Sequence, residues 1–113
     1  MSFMLTTKQM KNRTKTVTRR NGWKFLKPGE IVMAVEKCQG LKKGEKIKKI
    51  HPIKIIDVMF EPLNNIDDKE LIKEGFSDYD TFQFIEMFVK SHKGINPSSI
   101  ITRIEFEHLD LML

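Results

Sequence analysis

Near the end of the chain the stretch SIITRIEFE alternates cleanly. Ile100, Thr102, Ile104 and Phe106 fall on one face of an extended backbone, and Ile101, Arg103, Glu105 and Glu107 on the other, so a strand is predicted. IVMAVEK predicts a second, with Ile31, Met33 and Val35 sharing a face. IKIIDVMF, preceded by His51-Pro52, is a dense apolar run with β-branched residues, which suits a strand buried on both faces. Phe3 to Leu5 is a further strand candidate.

Between these runs the pattern changes period. Thr6 or Thr7 can cap a short helix reaching about Asn12, since a threonine hydroxyl satisfies free amides of a first turn. Asp67 followed by Glu70 predicts a helix ending near Gly75. Ser77 with Asp80 predicts the start of another, carrying Phe82, Ile85, Phe88 and Val89 inward and ended by Gly94 and Pro97. Lys27 to Glu30, KPGE, is a type II turn signal: Pro28 fixes one backbone angle and Gly29 accepts the positive one. Gly40 and Gly44 bracket a basic connection, GLKKGEK, expected at a hairpin tip. No repeat, low-complexity tract or linker divides the 113 residues, so a single domain spanning 1–113 is expected. The elements predict an α+β fold in which about five or six short strands curl into a small mixed sheet or barrel, flanked by short helices.

Composition narrows the class. Forty per cent apolar residues, eight of them Phe, exclude wholesale disorder, and no apolar run approaches the length of a membrane span. MSFMLTTKQMKNR has no long apolar core, so no secretory leader is expected. The lone Cys38 has no internal disulfide partner, which fits a reducing compartment; a cytoplasmic location is the expectation. The net charge of +5 conceals polarity. Residues 1–54 carry fifteen Lys/Arg and three Glu, a balance of +12, whereas residues 55–113 carry five Lys/Arg and twelve Asp/Glu, a balance of −7. Such a distribution attracts a polyanion to one half, or pairs the halves across the fold.

The decapeptide TKTVTRRNGW, residues 14–23, mixes hydroxyls, fixed positive charges and the sole tryptophan. KTVTRR followed by Gly22-Trp23, by KPGE ahead of a strand, by IKIIDV, by an EPL segment leading to an acidic helix around Glu74, and by a terminal IEFE strand resembles the ASCH domain, a relative of the PUA fold found in RNA-associated proteins. The resemblance spans most of the chain. It implies a PUA-like β-barrel with a cleft between barrel and helices, and binding of RNA or a modified nucleoside. One branch of small ASCH proteins consists of amidohydrolases that remove the acetyl group of N4-acetylcytidine with a lysine, a threonine three residues later and a distant glutamate. Lys15, Thr18 and Glu74 match that pattern, and Arg20 matches an arginine following the threonine. The second arginine, the Gly22-Trp23 pair and the basic 40–46 connection depart from it and point to a substrate larger than a nucleoside. Other ASCH proteins resemble ribonucleases, and many from phage-like genomes have no assigned activity.

Amide hydrolysis needs a nucleophile, a base and a donor at the developing oxyanion. Among Arg13, Arg19 and Arg20, a buried Lys15 would lose affinity for its proton and serve as base toward Thr18. A strict strand over 15–20 separates the two, because alternation puts Lys15, Val17 and Arg19 on one face and Thr16, Thr18 and Arg20 on the other. The catalytic reading therefore demands a bulge or turn between them. Glu74 can relay a proton or hold the exocyclic nitrogen of a pyrimidine; it equally suits a salt bridge to Arg19 or Arg20. Lys15 also fits a phosphate contact or a surface charge, and Thr18 a plain strand position.

Thr16, Arg19, Arg20, Trp23, Lys42 and Lys43 complete the candidate substrate-binding set, the arginines through paired hydrogen bonds to phosphate or base edges and Trp23 by stacking on a base, although a lone tryptophan also suits a core. Lys42, Lys43, Lys46, Lys48 and Lys49 make an electrostatic approach surface. His51, His92 and His108 lack metal-ligand spacing, so neither a metal nor another cofactor is expected. Three functions stand open: an RNA- or nucleoside-binding module, an amidohydrolase using the same cleft, and a regulatory contact with a host protein.

Overall fold

The computed structural model describes residues 1–37 and 41–110; Cys38 and the glycine at the start of the basic connection lie outside them. Four strands form one antiparallel sheet in the order β1-β4-β3-β2, with β1 Val17–Arg20, β2 Ile31–Val35, β3 Lys49–Pro62 and β4 Ile100–His108. Three helices accompany it: α1 Thr7–Lys11, α2 Asp68–Glu74 and α3 Thr81–Ser91. The α+β class stands, as a curled half-barrel sheet with short helices. Among the described residues there are four strands rather than five or six. Phe3 to Leu5 is not one of them: Ser2 makes an isolated parallel bridge to Val35, and Met4–Thr6 then winds into a 3-10 turn that leads into α1. No helix among the described residues is long and apolar enough to cross a membrane.

The two sheet faces bury separate cores. Phe3, Met10, Ala34, Ile53, Ile55, Ile104 and Phe106 fill one. Leu63, Ile66, Leu71, Phe84, Phe88 and Ile101 fill the other, under α2 and α3. Residues 51, 53 and 55 of β3 are buried while Lys54 and Ile56 are exposed, so this strand is buried on one face along this stretch, not on both. A bulge between Ile55 and Asp57 leaves Ile56 unpaired and shifts the alternation by one, which returns Val58 to the first core opposite Ile104. Pro52 is tolerated inside β3 because its carbonyl, turned toward β4, accepts the Leu109 amide where that ladder ends, so its missing N–H breaks little.

The helix signals act as predicted for α2, whereas α3 starts three residues later than the expected Ser77 start. Asp67 accepts from the Glu70 amide at 2.9 Å, and Gly75 closes α2 with φ 85°. Asp80 caps α3, and Gln83 completes the reciprocal box. The buried face of α3 is carried by Phe84 and Phe88, however, and Phe82 is 72% exposed. In β2 it is Val32 and Ala34 that reach the first core, and Ile31 is exposed. Neither Thr6 nor Thr7 caps α1 through its hydroxyl: Thr7 Oγ1 donates back to the Phe3 carbonyl at 2.9 Å.

Candidate functional site

The bulge or turn that the catalytic reading demanded between Lys15 and Thr18 is not there: the turn lies at residues 12–13, ahead of Lys15, and residues 15 and 16 precede the strand. β1 begins at Val17, while the amides of Thr14 and Lys15 are both held by the Gln9 carbonyl at the end of α1. Lys15, Thr18 and Glu74 consequently line one cavity of about 340 Å3 along the β1 edge, together with Arg19, Arg20, the N-terminal residues Ser2 and Met4, and Phe76, Phe84 and Phe88 from α2–α3. Its volume lies at the lower end of the roughly 300–1,000 Å3 of small-molecule sites.

Lys15 is 2% exposed, as is Glu74. The Lys15 ammonium donates to Glu74 twice, to the backbone carbonyl at 2.5 Å and to Oε1 at 2.9 Å, and lies 5.7 Å from the centre of the Phe76 ring. Burial pushes the lysine below its ordinary value; Glu74 opposes that shift, and Arg20 and Arg19 add to it. Glu74 can sit beside this ammonium because Gly75 ends α2 in a left-handed turn against Gln9, whose amide nitrogen donates to the Gly75 carbonyl at 3.0 Å.

Behind Glu74 lies an ionic layer. Arg19 donates to Glu74 Oε2 at 3.0 Å, to Glu61 at 3.1 Å and to Glu70 at 2.8 Å, and Arg103 grips both Glu70 oxygens. The hydrogen bond from Arg103, against the opposing effect of burial and with Arg19 assisting, holds the Glu70 carboxyl down to about 2. Arg19 Nε is buried without a hydrogen-bond partner among the described residues. Arg19 thus lies in the cavity wall with its guanidinium engaged by three carboxylates, among them Glu74, which it helps to fix.

Arg20 faces the other way, donating Nε to the Thr18 hydroxyl at 3.1 Å and a terminal nitrogen to the Ser2 carbonyl at 2.6 Å, over the ring of Phe3 at 4.7 Å. Because the Thr18 oxygen accepts from Arg20, its own proton must point elsewhere, and the adjacent guanidinium favours a negative oxygen. Thr16 is not in the cavity wall: its amide donates to Lys73 and its carbonyl accepts from Phe106. Lys42 and Lys43 are exposed on the β2–β3 connection, away from the cavity wall. Trp23 is 43% exposed rather than core, and lines a neighbouring cavity instead of this one. Among the described residues no group of His, Cys, Asp or Glu is arranged to hold a metal ion.

Sequence reading missed the aromatic wall and the Glu61, Glu70 and Arg103 layer. It also missed a histidine pair. His108 Nε2 donates to the Lys15 carbonyl at 2.6 Å, which leaves Nδ1 to accept from His51 Nε2 at 2.7 Å. Burial depresses both imidazoles below 6.5, the His108 and Arg13 charges adding to the effect on His51. Unfolded chains therefore bind protons at these two imidazoles first as pH falls, so the pair's contribution to stability is complete above about 6.5 and declines as the pH drops toward the depressed folded values. The fall in melting temperature from pH 7 to pH 5.5 is expected to be shallower in His51→Gln than in the wild type; equal falls in the two contradict this.

No family model matches the chain, and no curated protein does. Solved structures do. An ASCH domain from Lactobacillus crispatus JV V101 superposes with TM-score 0.66 at 13% identity, over 92% of this chain and 70% of that one. A protein from Enterococcus faecalis V583 carrying the DUF984 family model superposes with TM-score 0.64 at 17% identity, over 92% of this chain. The present chain spans 66% of that second structure's length. The fold is of the ASCH type.

Proposed function

We propose that the cavity along β1 binds the base of a pyrimidine nucleoside, free or within RNA, between the rings of Phe76, Phe84 and Phe88 and the polar groups of Lys15, Thr18, Arg20 and Glu74. The observation that carries this reading is the convergence of Lys15 and Thr18 with the distant Glu74 on one recess of nucleoside size with an aromatic wall and a charged wall. Aromatic rings take the faces of a base, and the buried lysine and carboxylate address its polar edge.

A second reading, hydrolysis of an acyl group on the exocyclic nitrogen, is favoured by a depressed lysine that lines the same cavity as a hydroxyl already polarised by Arg20. In this scheme neutral Lys15 takes the Thr18 proton as the threonine oxygen attacks the acyl carbon. The oxyanion forms near Arg20, the lysine returns the proton to the departing nitrogen, and water then cleaves the acyl-threonine to free acid.

Incubation with N4-acetylcytidine, alongside Lys15→Ala, Thr18→Ala and Glu74→Ala checked for folding by circular dichroism, separates the readings. Release of cytidine, lost in the folded variants, establishes hydrolysis. Binding without turnover, weakened by Arg20→Ala, leaves the base pocket alone standing. Absence of both binding and turnover overturns the base pocket too.

A further inference from the structure

Next to the inner cavity lies a second of about 580 Å3, lined by Met1, Ser2, Met4, Arg20, Asn21, Trp23, Lys37 and His92. Ser2, Met4, Arg20 and His92 line both, so the two are continuous, with Arg20 at the junction. The outer wall holds Arg20 and Lys37, whose ammonium also lies 3.6 Å from Glu45, and no carboxylate is among its described lining residues. Trp23 is presented there by a built turn. Gly22 and Trp23 both have positive φ, 127° and 56°, and Thr102 Oγ1, itself buried in β4, donates to the Gly22 carbonyl at 2.6 Å. A large aromatic residue is rare in the left-handed region, and here the turn is pinned to the sheet with the indole left half in solvent.

We infer that the outer cavity holds the nucleotide adjacent to the one in the inner pocket, so that the ligand is a single-stranded RNA segment rather than a free nucleoside. The neighbouring base stacks on Trp23, and the phosphate linking the two nucleotides passes the Arg20 and Lys37 side of the junction. This rests on the base-pocket reading above. A stacking platform and a basic groove are the two components of single-strand binding sites, and here they adjoin a recess that takes one base.

Trp23 is the sole tryptophan, so its emission reports on its own surroundings, the outer cavity and the hollow it shares with Phe25 and Leu26. The intact protein is titrated with N4-acetylcytidine and with a short single-stranded RNA containing that nucleoside, calorimetry giving affinity and fluorescence giving Trp23 contact. The expected result is binding of the RNA at least about tenfold tighter than the nucleoside, with quenching by the RNA and a salt dependence the nucleoside lacks. Trp23→Ala brings the ratio of the two affinities toward one, and Trp23→Phe restores most of it. Equal affinity for both ligands, or an RNA preference that survives Trp23→Ala, overturns the outer site while leaving the inner pocket intact. Failure of the wild-type protein to bind either ligand sinks the base-pocket reading, and this inference falls with it.

Discussion

Glu74→Gln is expected to cost about 3–5 kcal/mol of folding stability, read as a lower urea midpoint with an unchanged slope. The replacement keeps the shape of the side chain but removes the charge shared by Lys15 Oε1-side and Arg19 Oε2-side contacts, both fully enclosed. Arg19 cannot discard its proton, and Lys15 escapes only by becoming neutral. Against a total of about 5–15 kcal/mol for an ordinary domain, this is a large share. Adding Lys15→Met to Glu74→Gln should recover part of the loss, because it removes one of the two stranded cations. A single variant as stable as wild type would show that Arg19 is sufficiently neutralised by Glu61 and Glu70 alone.

Thr18→Val should separate chemistry from folding. If the cavity hydrolyses an acylated base, turnover falls on the order of 10³-fold, since Thr18 carries the hydroxyl oxygen that accepts from Arg20 in the cavity wall. Valine is close in shape, and the loss to folding is that of one hydrogen bond from Arg20, about 1 kcal/mol; Arg20 retains the Ser2 carbonyl and the Phe3 ring. Nucleoside affinity within a few-fold of wild type, with hydrolysis gone, is the expected pair of results. Undiminished hydrolysis removes Thr18 as the nucleophile.

Much of this architecture was legible in local chemistry. Asp67, Asp80, Gly75 and the KPGE turn act within a few residues of themselves, so sequence neighbours suffice to predict them. The strand expected over residues 100–107 is likewise present as β4, although its burial does not alternate, since residues 101–104 are all buried between the two cores and Ile100 is exposed. The inward face of α3 was not legible, because its sequence offers two apolar stripes and only docking against Leu63 and Ile101 selects Phe84 over Phe82. The extent of β3 was missed where Pro52 falls at the end of a ladder that only the assembled sheet defines. As for the site, Lys15, Thr18 and Glu74 were named from a motif resemblance, and Arg19 was read both as a ligand contact and as an ion-pair partner of Glu74, the pair the structure shows. Its other partners, Glu61 and Glu70, lie more than forty residues away and carry no spacing signal.

The unpaired Ile56 has a consequence for how such chains can diverge. It is the extra residue that the bulge absorbs; were it paired in the ladder instead, positions 57–62 would turn over relative to 49–55: Val58 would exchange an apolar contact for water, and Glu61 would swing off the side it shares with Arg19 and Arg103. Substitutions along this segment are thus a gentler form of drift than a change in its length, and an insertion between Asp57 and Pro62 would have to be answered by a loss on the same ribbon, such as that of the bulged residue, before the carboxylate side of the recess could be rebuilt.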